Sequence, residues 1–200
     1  MQRELFSDAG KRAGGTTRDE WYTPAYAAEY LRWLPDGTRI WEPCASKHGL
    51  LAKHLRALND TWTVIESDLS TGQDFFEYAP PADEWDVIVT NPPFKNKNAF
   101  FERALSFSKP VVFLCSCAAL ESNPLKKLIA TSASSFSIIM PHRKIHFIPE
   151  HLYVADPTRT AWRLRESHSF FQSMWYILNM DPPSSVEDAT VMTMLRAARP

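Results

Sequence analysis

Short apolar segments that alternate with amphipathic ones constrain the fold of this chain more than any other feature. Residues 86–90 hold the continuous run Val87-Ile88-Val89, which is typical of a strand buried on both faces of a parallel sheet. Further strands are predicted over 39–41, 62–66, 111–115, 136–140 and 173–178, and helices over 24–34, 49–58, 98–107 and 124–131. This alternation predicts an α/β fold with a mostly parallel sheet flanked by helices, which binds its ligand at the carboxyl ends of the strands.

The length and the distribution of apolar residues predict one domain. The chain has 200 residues, and we expect a flexible segment at 1–20, a single domain at 21–180 and a C-terminal tail at 181–200. In the tail, residues 186–198 are expected to form either a helix or an extended arm. No apolar run reaches the roughly 18 residues of a membrane span, and residues 1–15 lack the apolar core of a signal peptide. We therefore expect a cytoplasmic protein without a membrane partner.

Cysteine content and charge indicate which metals and partners the chain can be expected to bind. Cys44, Cys115 and Cys117 suit reduced thiols better than disulfides, and their spacing is not that of a metal site, so no metal is predicted. The net charge of −1 does not exclude a nucleic acid, because affinity depends on local charge. Residues 142–168 carry five Lys or Arg against three Asp or Glu. A solvated surface and a phosphate-facing one are equally compatible with that excess, and 142–169 is a candidate substrate-recognition insert.

The motif Asn91-Pro92-Pro93-Phe94 directly follows the buried strand at 86–90. Two prolines fix the backbone and remove two N–H donors, so carbonyl acceptors remain. The Asn91 side chain adds an acceptor, and the Phe94 ring adds a stacking face. Such a set can grip both hydrogens of a planar amine and draw its nitrogen lone pair out of conjugation. The alternative, a stiff turn with a core phenylalanine, leaves the flanking Asn and Phe unexplained.

This motif and its order resemble the amino-methyltransferase family, whose signature is [Asn/Asp/Ser]-Pro-Pro-[Tyr/Phe]. Trp-Tyr-Thr-Pro at 21–24, Glu-Pro-Cys-Ala at 42–45, an acidic residue at 68 and Asp-Phe at 74–75 precede it, as in the DNA adenine methyltransferases whose cofactor motifs come first. The resemblance covers 21 to about 117, and the small size is similar to that of compact phage-borne members. It implies a Rossmann-like class I methyltransferase fold and S-adenosylmethionine as cofactor.

The resemblance also implies which residues bind the cofactor. Glu42 would lie near its methionine end, Asp68 would accept from the ribose hydroxyls, and Asp74 with Phe75 would contact the adenine. The whole expected set is Tyr22, Thr23, Pro24, Glu42, Pro43, Cys44, Ala45, Ser46, Asp68, Leu69, Asp74, Phe75 and Asn91. A purely structural role stays open at three of these points: Thr23-Pro24 as a helix start, Asp68 as a turn or helix cap, and 74–75 as a surface Asp and a core Phe.

The first loop departs from the family pattern. The family reads Glu-Pro-x-x-Gly-x-Gly, whereas Ser46 and His48 stand at the two glycine positions here, and Gly49 follows. Glycines allow positive φ and a close backbone approach to the cofactor. We therefore expect a reshaped loop with Gly49 as its flexible point.

The predicted activity is methyl transfer to the exocyclic N6 of adenine in DNA, with short or loose sequence preference. Asn91, Pro92, Pro93 and Phe94 form the predicted catalytic set, and Phe94, Lys95, Lys97, Arg143 and Lys144 the substrate-binding set. DNA is favoured over RNA, and no oligomeric state is predicted. An RNA adenine or guanine substrate, a protein glutamine substrate and a catalytically silent binding module remain as alternatives.

Overall fold

The computed structural model describes residues 21–93, 95–150, 153 and 171–196. The strands in this part of the chain are β1 Trp21–Tyr22, β2 Arg39–Glu42, β3 Thr63–Glu66, β4 Val87–Thr90, β5 Val111–Ser116, β6 Ser135–Pro141, β7 Ile148–Pro149, β8 Ser173–Leu178 and β9 Ala189–Arg196. The α-helices are α1 Ala25–Glu29, α2 Leu50–Leu58, α3 Lys97–Ser106 and α4 Asn123–Ser132, and short 3-10 helices cover Leu69–Thr71 and Cys117–Glu121.

Seven of the strands form one sheet in the order β3-β2-β4-β5-β8-β6-β9. The pairs β2–β3, β2–β4 and β4–β5 are parallel, while β8 runs antiparallel to β5 and β6, and β9 antiparallel to β6. Five of the seven strands therefore run in the same direction, and helices flank the sheet. The α/β fold predicted from the sequence, with a Rossmann-like sheet flanked by helices, is confirmed.

The strand order places a crevice at the carboxyl ends of β2 and β4. From β2 the chain passes to β3 on one side, and it later returns to β4 on the other. Open α/β sheets bind ligands at such a switch point, where the connections leave in opposite directions. Glu42 ends β2 and Asn91 follows β4, so both lie at this crevice.

Two apolar layers hold the strand ends in place. Residues of α3 and α4 pack on one face of the sheet, together with the fully buried Trp41, and residues of α1 and α2 pack on the other. Trp41 also donates from Nε1 to Ser67 Oγ at 2.9 Å, which links β2 to the residue after β3. Through these apolar and polar contacts, the indole holds the end of β2 in place beside the end of β3.

The first helix is shorter than predicted. A helix is expected over 24–34, but α1 ends at Glu29, and Leu31, Arg32 and Leu34 donate to carbonyls three residues back. These tighter bonds continue the chain as turns instead of an α-helix. The N-cap is Pro24 and makes no side-chain hydrogen bond, so Thr23 does not cap the helix.

Of the two expectations for residues 186–198, a helix or an extended arm, the helix is wrong over the part of this segment that the structure describes. Ala189–Arg196 form β9, the edge strand next to β6, so this part of the predicted tail belongs to the sheet. Thr190, Val191 and Thr193 are β-branched and suit a strand, and β6 offers them an open edge. The strand predicted over 173–178 is present as β8, which lies between β5 and β6.

Several expectations fall outside the described residues. These are the flexible segment at 1–20 and, apart from 142–150 and Tyr153, the candidate recognition insert at 142–169. Within that insert, β7 pairs antiparallel with β1. The sequence did not predict this contact, because strands of two residues are too short to show a periodic pattern. Among the described residues, no helix is long and apolar enough to cross a membrane.

Candidate functional site

A cavity of ≈ 30 Å³ opens at the carboxyl ends of β2 and β4. It brings together seven predicted cofactor-site residues: Tyr22, Thr23, Glu42, Cys44, Ala45, Ser46 and Asn91. It is also lined by Trp21, Leu50 and Leu51, which the sequence did not assign to the site. Leu50 and Leu51 belong to the apolar face of α2, so their sequence signal was that of core residues.

Buried polar atoms without a hydrogen-bond partner gather around this crevice. Two of them line the cavity, Glu42 Oε2 at the end of β2 and Asn91 Oδ1 at the end of β4, and a third, His48 Nε2, lies behind its wall in the loop between β2 and α2. A buried polar atom left unpaired costs roughly 1–3 kcal/mol. Two such atoms in the lining of one cavity indicate a place where a polar ligand satisfies them.

Glu42 is the most perturbed acid of the site. It is 2% exposed, and burial, reinforced by the charges of Glu66 and Asp68, raises its pKa to about 8. A hydrogen bond from the Ala52 backbone N–H acts in the opposite direction. Glu42 is therefore a neutral carboxylic acid at pH 7, and an amine cation placed beside it would favour the ionised form.

The loop after β2 keeps the shape of a glycine loop although Ser46 replaces the first glycine. Ser46 has φ 58° and Gly49 has φ 54°, so both lie in the left-handed region. The Ser46 backbone N–H donates to Asp68 Oδ2 at 3.1 Å, and the Ala45 N–H donates to the Ser67 carbonyl at 3.1 Å. A Cβ at Gly49 would overlap the Glu66 carboxylate. Gly49, which the sequence predicts as the flexible point of this loop, thus has a left-handed backbone conformation.

His48 stands against two aromatic rings at the rim of the crevice. Its ring centroid lies 5.4 Å from that of Tyr22 and 5.1 Å from that of Tyr153. Tyr22 lines the cavity, so the imidazole lies one ring behind its wall. The second glycine position of the family is therefore filled by a packed side chain.

Asp68 and Leu69 occupy the end of β3. Asp68 Oδ1 accepts from the Ser70 backbone N–H at 2.8 Å and caps the 3-10 helix Leu69–Thr71, while Oδ2 holds Ser46. The capping role left open by the sequence is thus present. Leu69 is 73% exposed beside Asp68 and does not line the cavity.

The Asp74-Phe75 pair does not meet the cavity. Asp74 Oδ1 accepts from the Phe76 backbone N–H at 2.9 Å and so closes a local turn. Phe75 is buried and stacks on Phe100 with ring centroids 5.5 Å apart. The structure therefore gives Phe75 the core position that the sequence left as an alternative, and the exposed ring is Phe76.

The residues after β4 form the predicted catalytic loop. Asn91 is half-buried with its Oδ1 unpaired, Pro92 is buried and Pro93 is exposed. Phe94 lies outside the described residues. The wholly buried strand Val87–Thr90 fixes where the loop begins, which places the Asn91 acceptor at the crevice. Pro43, the remaining member of the first-strand motif, is buried behind Glu42.

The predicted substrate-binding cations lie on the same edge of the sheet but outside the cavity. Lys95 is exposed, and Lys97 Nζ donates to Ser116 Oγ at 3.0 Å at the end of β5. Arg143 and Lys144 follow the carboxyl end of β6, three strand positions from β4. At about 4.8 Å per strand, they are roughly 14 Å to the side of the catalytic loop.

The thiols take no part in a charged or metal site. Burial raises the pKa of Cys44 and raises that of Cys115 to about 12, so both are neutral at pH 7. Across the part of the chain that the structure describes, no group of three or more His, Cys, Asp or Glu could hold a metal ion.

Comparison with known proteins gives distant matches only. No protein-family profile matches the sequence, and neither does any curated protein. A protein-(glutamine-N5) methyltransferase (release factor-specific) from Alicyclobacillus acidocaldarius subsp. acidocaldarius DSM 446 is similar in structure, with 16% identity, a TM-score of 0.40 and coverage of 76% of this chain and 86% of the other. TrmN from Thermus thermophilus is similar with 15% identity, a TM-score of 0.42 and coverage of 78% and 48%.

Proposed function

We propose that this chain transfers a methyl group from S-adenosylmethionine to the exocyclic N6 of adenine in DNA, as a compact enzyme of the phage type that its sequence resembles. One observation carries the proposal: Asn91 Oδ1 is a buried acceptor without a partner at the carboxyl end of β4, and it lines the same cavity as Glu42 and Ser46. An unpaired acceptor beside a ligand crevice suits an amine that donates two hydrogens.

The residues of the crevice fit the cofactor. Glu42 Oε2 is free to pair with its amino-acid end, and the left-handed Ser46 and Gly49 let the backbone approach it. Asp68 and the exposed Leu69 stand where a nucleoside would rest. When bound, the cofactor supplies a methyl group on a positively charged sulfur.

The chain's part in the reaction is to hold the amine in line. Asn91 Oδ1 and the Pro92 carbonyl accept the two amine hydrogens and pull the nitrogen lone pair out of the ring. With the cofactor bound, that lone pair would be directed at the methyl group, and one amine proton would leave to water after the transfer. Alignment of this kind is worth about 7–11 kcal/mol of the barrier. A base in a duplex must first be flipped out, at a cost of a few kcal/mol.

A silent binding module is the second candidate, and a specific observation favours it. The cavity measures only ≈ 30 Å³, whereas pockets for nucleotide-sized ligands are about 300–1,000 Å³, and the rings of Tyr22, His48 and Tyr153 pack at its rim. Titration calorimetry with S-adenosylmethionine separates the two candidates. Binding supports the enzyme, and no binding supports the module.

The decisive experiment incubates the protein with isotope-labelled S-adenosylmethionine and, separately, unmethylated DNA, total RNA and a protein extract. Digestion to nucleosides or amino acids and mass spectrometry then identify the product. Labelled N6-methyladenine from DNA is the expected result. Label in RNA nucleosides or in glutamine would replace DNA as the substrate, and no label in any pool, with cofactor binding absent, would overturn the proposed activity.

A further inference from the structure

A second and larger concavity lies beside the catalytic loop, between the starts of α3 and α4. Its volume is ≈ 570 Å³, which is ample for a nucleobase with part of its sugar. The rim is polar and includes Asn96, Asn98, Glu102 and Ser122, and the floor consists of small apolar side chains such as Ala118 and Ala119. We call this concavity the α3–α4 groove.

The groove lies near the catalytic loop. Asn96 stands three residues after Pro93 and forms the N-cap of α3 in the left-handed region, with φ 59°. The bond from Lys97 Nζ to Ser116 Oγ ties the start of α3 to the end of β5. Because β4 and β5 are neighbours, the groove begins about one strand spacing from the end of β4. A unit held in the groove would thus be next to a unit held by Asn91.

The chemistry of the groove fits a neutral heterocycle better than a phosphate. Lys97 and Glu102 contribute opposite charges, so the lining has no net charge. Asn96 and Asn98 each offer a donor and an acceptor, which is the combination that reads the edge of a base. The Ser122 hydroxyl is 3.4 Å from Asn98 Oδ1, a long contact that a ligand can replace. Small side chains on the floor leave room for a flat ring.

We propose that the α3–α4 groove binds the nucleobase adjacent to the target adenine, splayed out from a single-stranded segment. The inference rests on the proposed function, and it adds a base-reading site outside residues 142–169. Unstacked bases are recognised by hydrogen bonds to their edges, which this rim supplies. The chain should therefore methylate its target adenine more efficiently when the neighbouring position on one side carries a base than when that position is abasic.

The test uses single-stranded oligonucleotides with one adenine and either a normal or an abasic neighbour on each side. For the unmodified protein, kcat/KM should fall about tenfold when the neighbour on one side is abasic and change little when the other is. Equal rates on all oligonucleotides would overturn the groove's role while leaving the methyltransferase proposal intact. Methylation of the same sequence as a duplex but not as a single strand would also overturn the groove's role and leave the methyltransferase proposal intact. No methylation of either form would overturn the proposed function, and the groove's role with it.

A groove-filling variant supplies the structural half of the test. Ala118 is exposed at the groove, so Ala118→Trp should fill it without disturbing the core, and Ala130→Trp, exposed on α4 away from the lining, is the matched control. Ala118→Trp should lose about tenfold on normal oligonucleotides and lose nothing more on abasic ones, while Ala130→Trp keeps the tenfold difference. Asn98→Ala, a smaller change, should lower the ratio of kcat/KM on normal oligonucleotides to kcat/KM on abasic ones. Identical behaviour of the two tryptophan variants would contradict the proposal.

Discussion

Replacing Glu42 with glutamine should remove a large part of the pH dependence of stability. Burial, together with Glu66 and Asp68, raises the pKa of Glu42 from 4.5 to about 8 in the folded chain. A difference of that size between folded and unfolded states corresponds to on the order of 5 kcal/mol, at about 1.4 kcal/mol per pH unit. That is a substantial fraction of the roughly 5–15 kcal/mol by which a domain is stable.

The sign follows from which state binds the proton. Below pH 4.5 the carboxyl is protonated in both states, so it does not affect the free energy of unfolding. Above that pH the unfolded chain releases the proton while the folded chain retains it until about pH 8, and stability therefore falls as pH rises through this window. Glutamine stays neutral throughout. The variant should match the unmodified protein near pH 4 and exceed it by about 3 kcal/mol at pH 7.

Urea unfolding followed by circular dichroism at several pH values between 4 and 9 measures the effect. All other titrating groups are common to both proteins, so the difference between the two curves isolates Glu42. Glu84→Gln, at an exposed position in the loop before β4, serves as the control and should show no such difference. A constant offset between Glu42→Gln and the unmodified protein across the pH range would refute the reasoning.

Three further predictions concern the loops and the sheet. Asn91→Ala should lower kcat by about 10²–10³, as loss of one preorganised hydrogen-bonding group does, while calorimetry shows cofactor affinity within about twofold; undiminished kcat would remove Asn91 from the mechanism. Ser46→Val should lower the free energy of unfolding, measured in urea, by about 1–2 kcal/mol because Ser46 is left-handed, whereas Ser46→Gly should raise it by up to about 1 kcal/mol, since glycine relieves the strain but gains entropy in the unfolded chain. Val191→Asp should destabilise by about 1–3 kcal/mol and the exposed Thr193→Asp by much less, and equal effects would contradict the packing of β9 on the sheet.

Local patterns were sufficient for the elements that position the site. The run Val87-Ile88-Val89 is buried on both faces, and Leu51 and Leu55 lie on the buried side of α2. Each element carries its signal within a few residues, since burial acts on the same side chains that form the pattern. Asn91 could be placed at the carboxyl end of its strand for that reason.

Contacts between distant segments could not be predicted in this way. β9 became a strand because β6 offered an open edge, and residues 186–198 alone are compatible with a helix. Phe75 and Phe76 are adjacent and identical in type and both contact Phe100, but Phe75 is the buried ring because it also packs on Trp41 and Phe107. The raised pKa of Glu42 likewise depends on Glu66 and Asp68, which follow it by more than twenty residues.

The departure of the first loop from the glycine pattern is compensated within the structure, which bears on whether the site is active. A left-handed serine costs roughly 1–2 kcal/mol, and the hydrogen bond from its backbone N–H to the Asp68 carboxylate contributes a similar amount. The second left-handed turn moves to Gly49, where a side chain would collide with Glu66. A loop that only linked β2 to α2 would not need two left-handed residues, nor a hydrogen bond from one of them to the acidic side chain after β3. This geometry supports the proposal of a cofactor site over that of a silent module, and His48 packs behind Tyr22 outside the cavity.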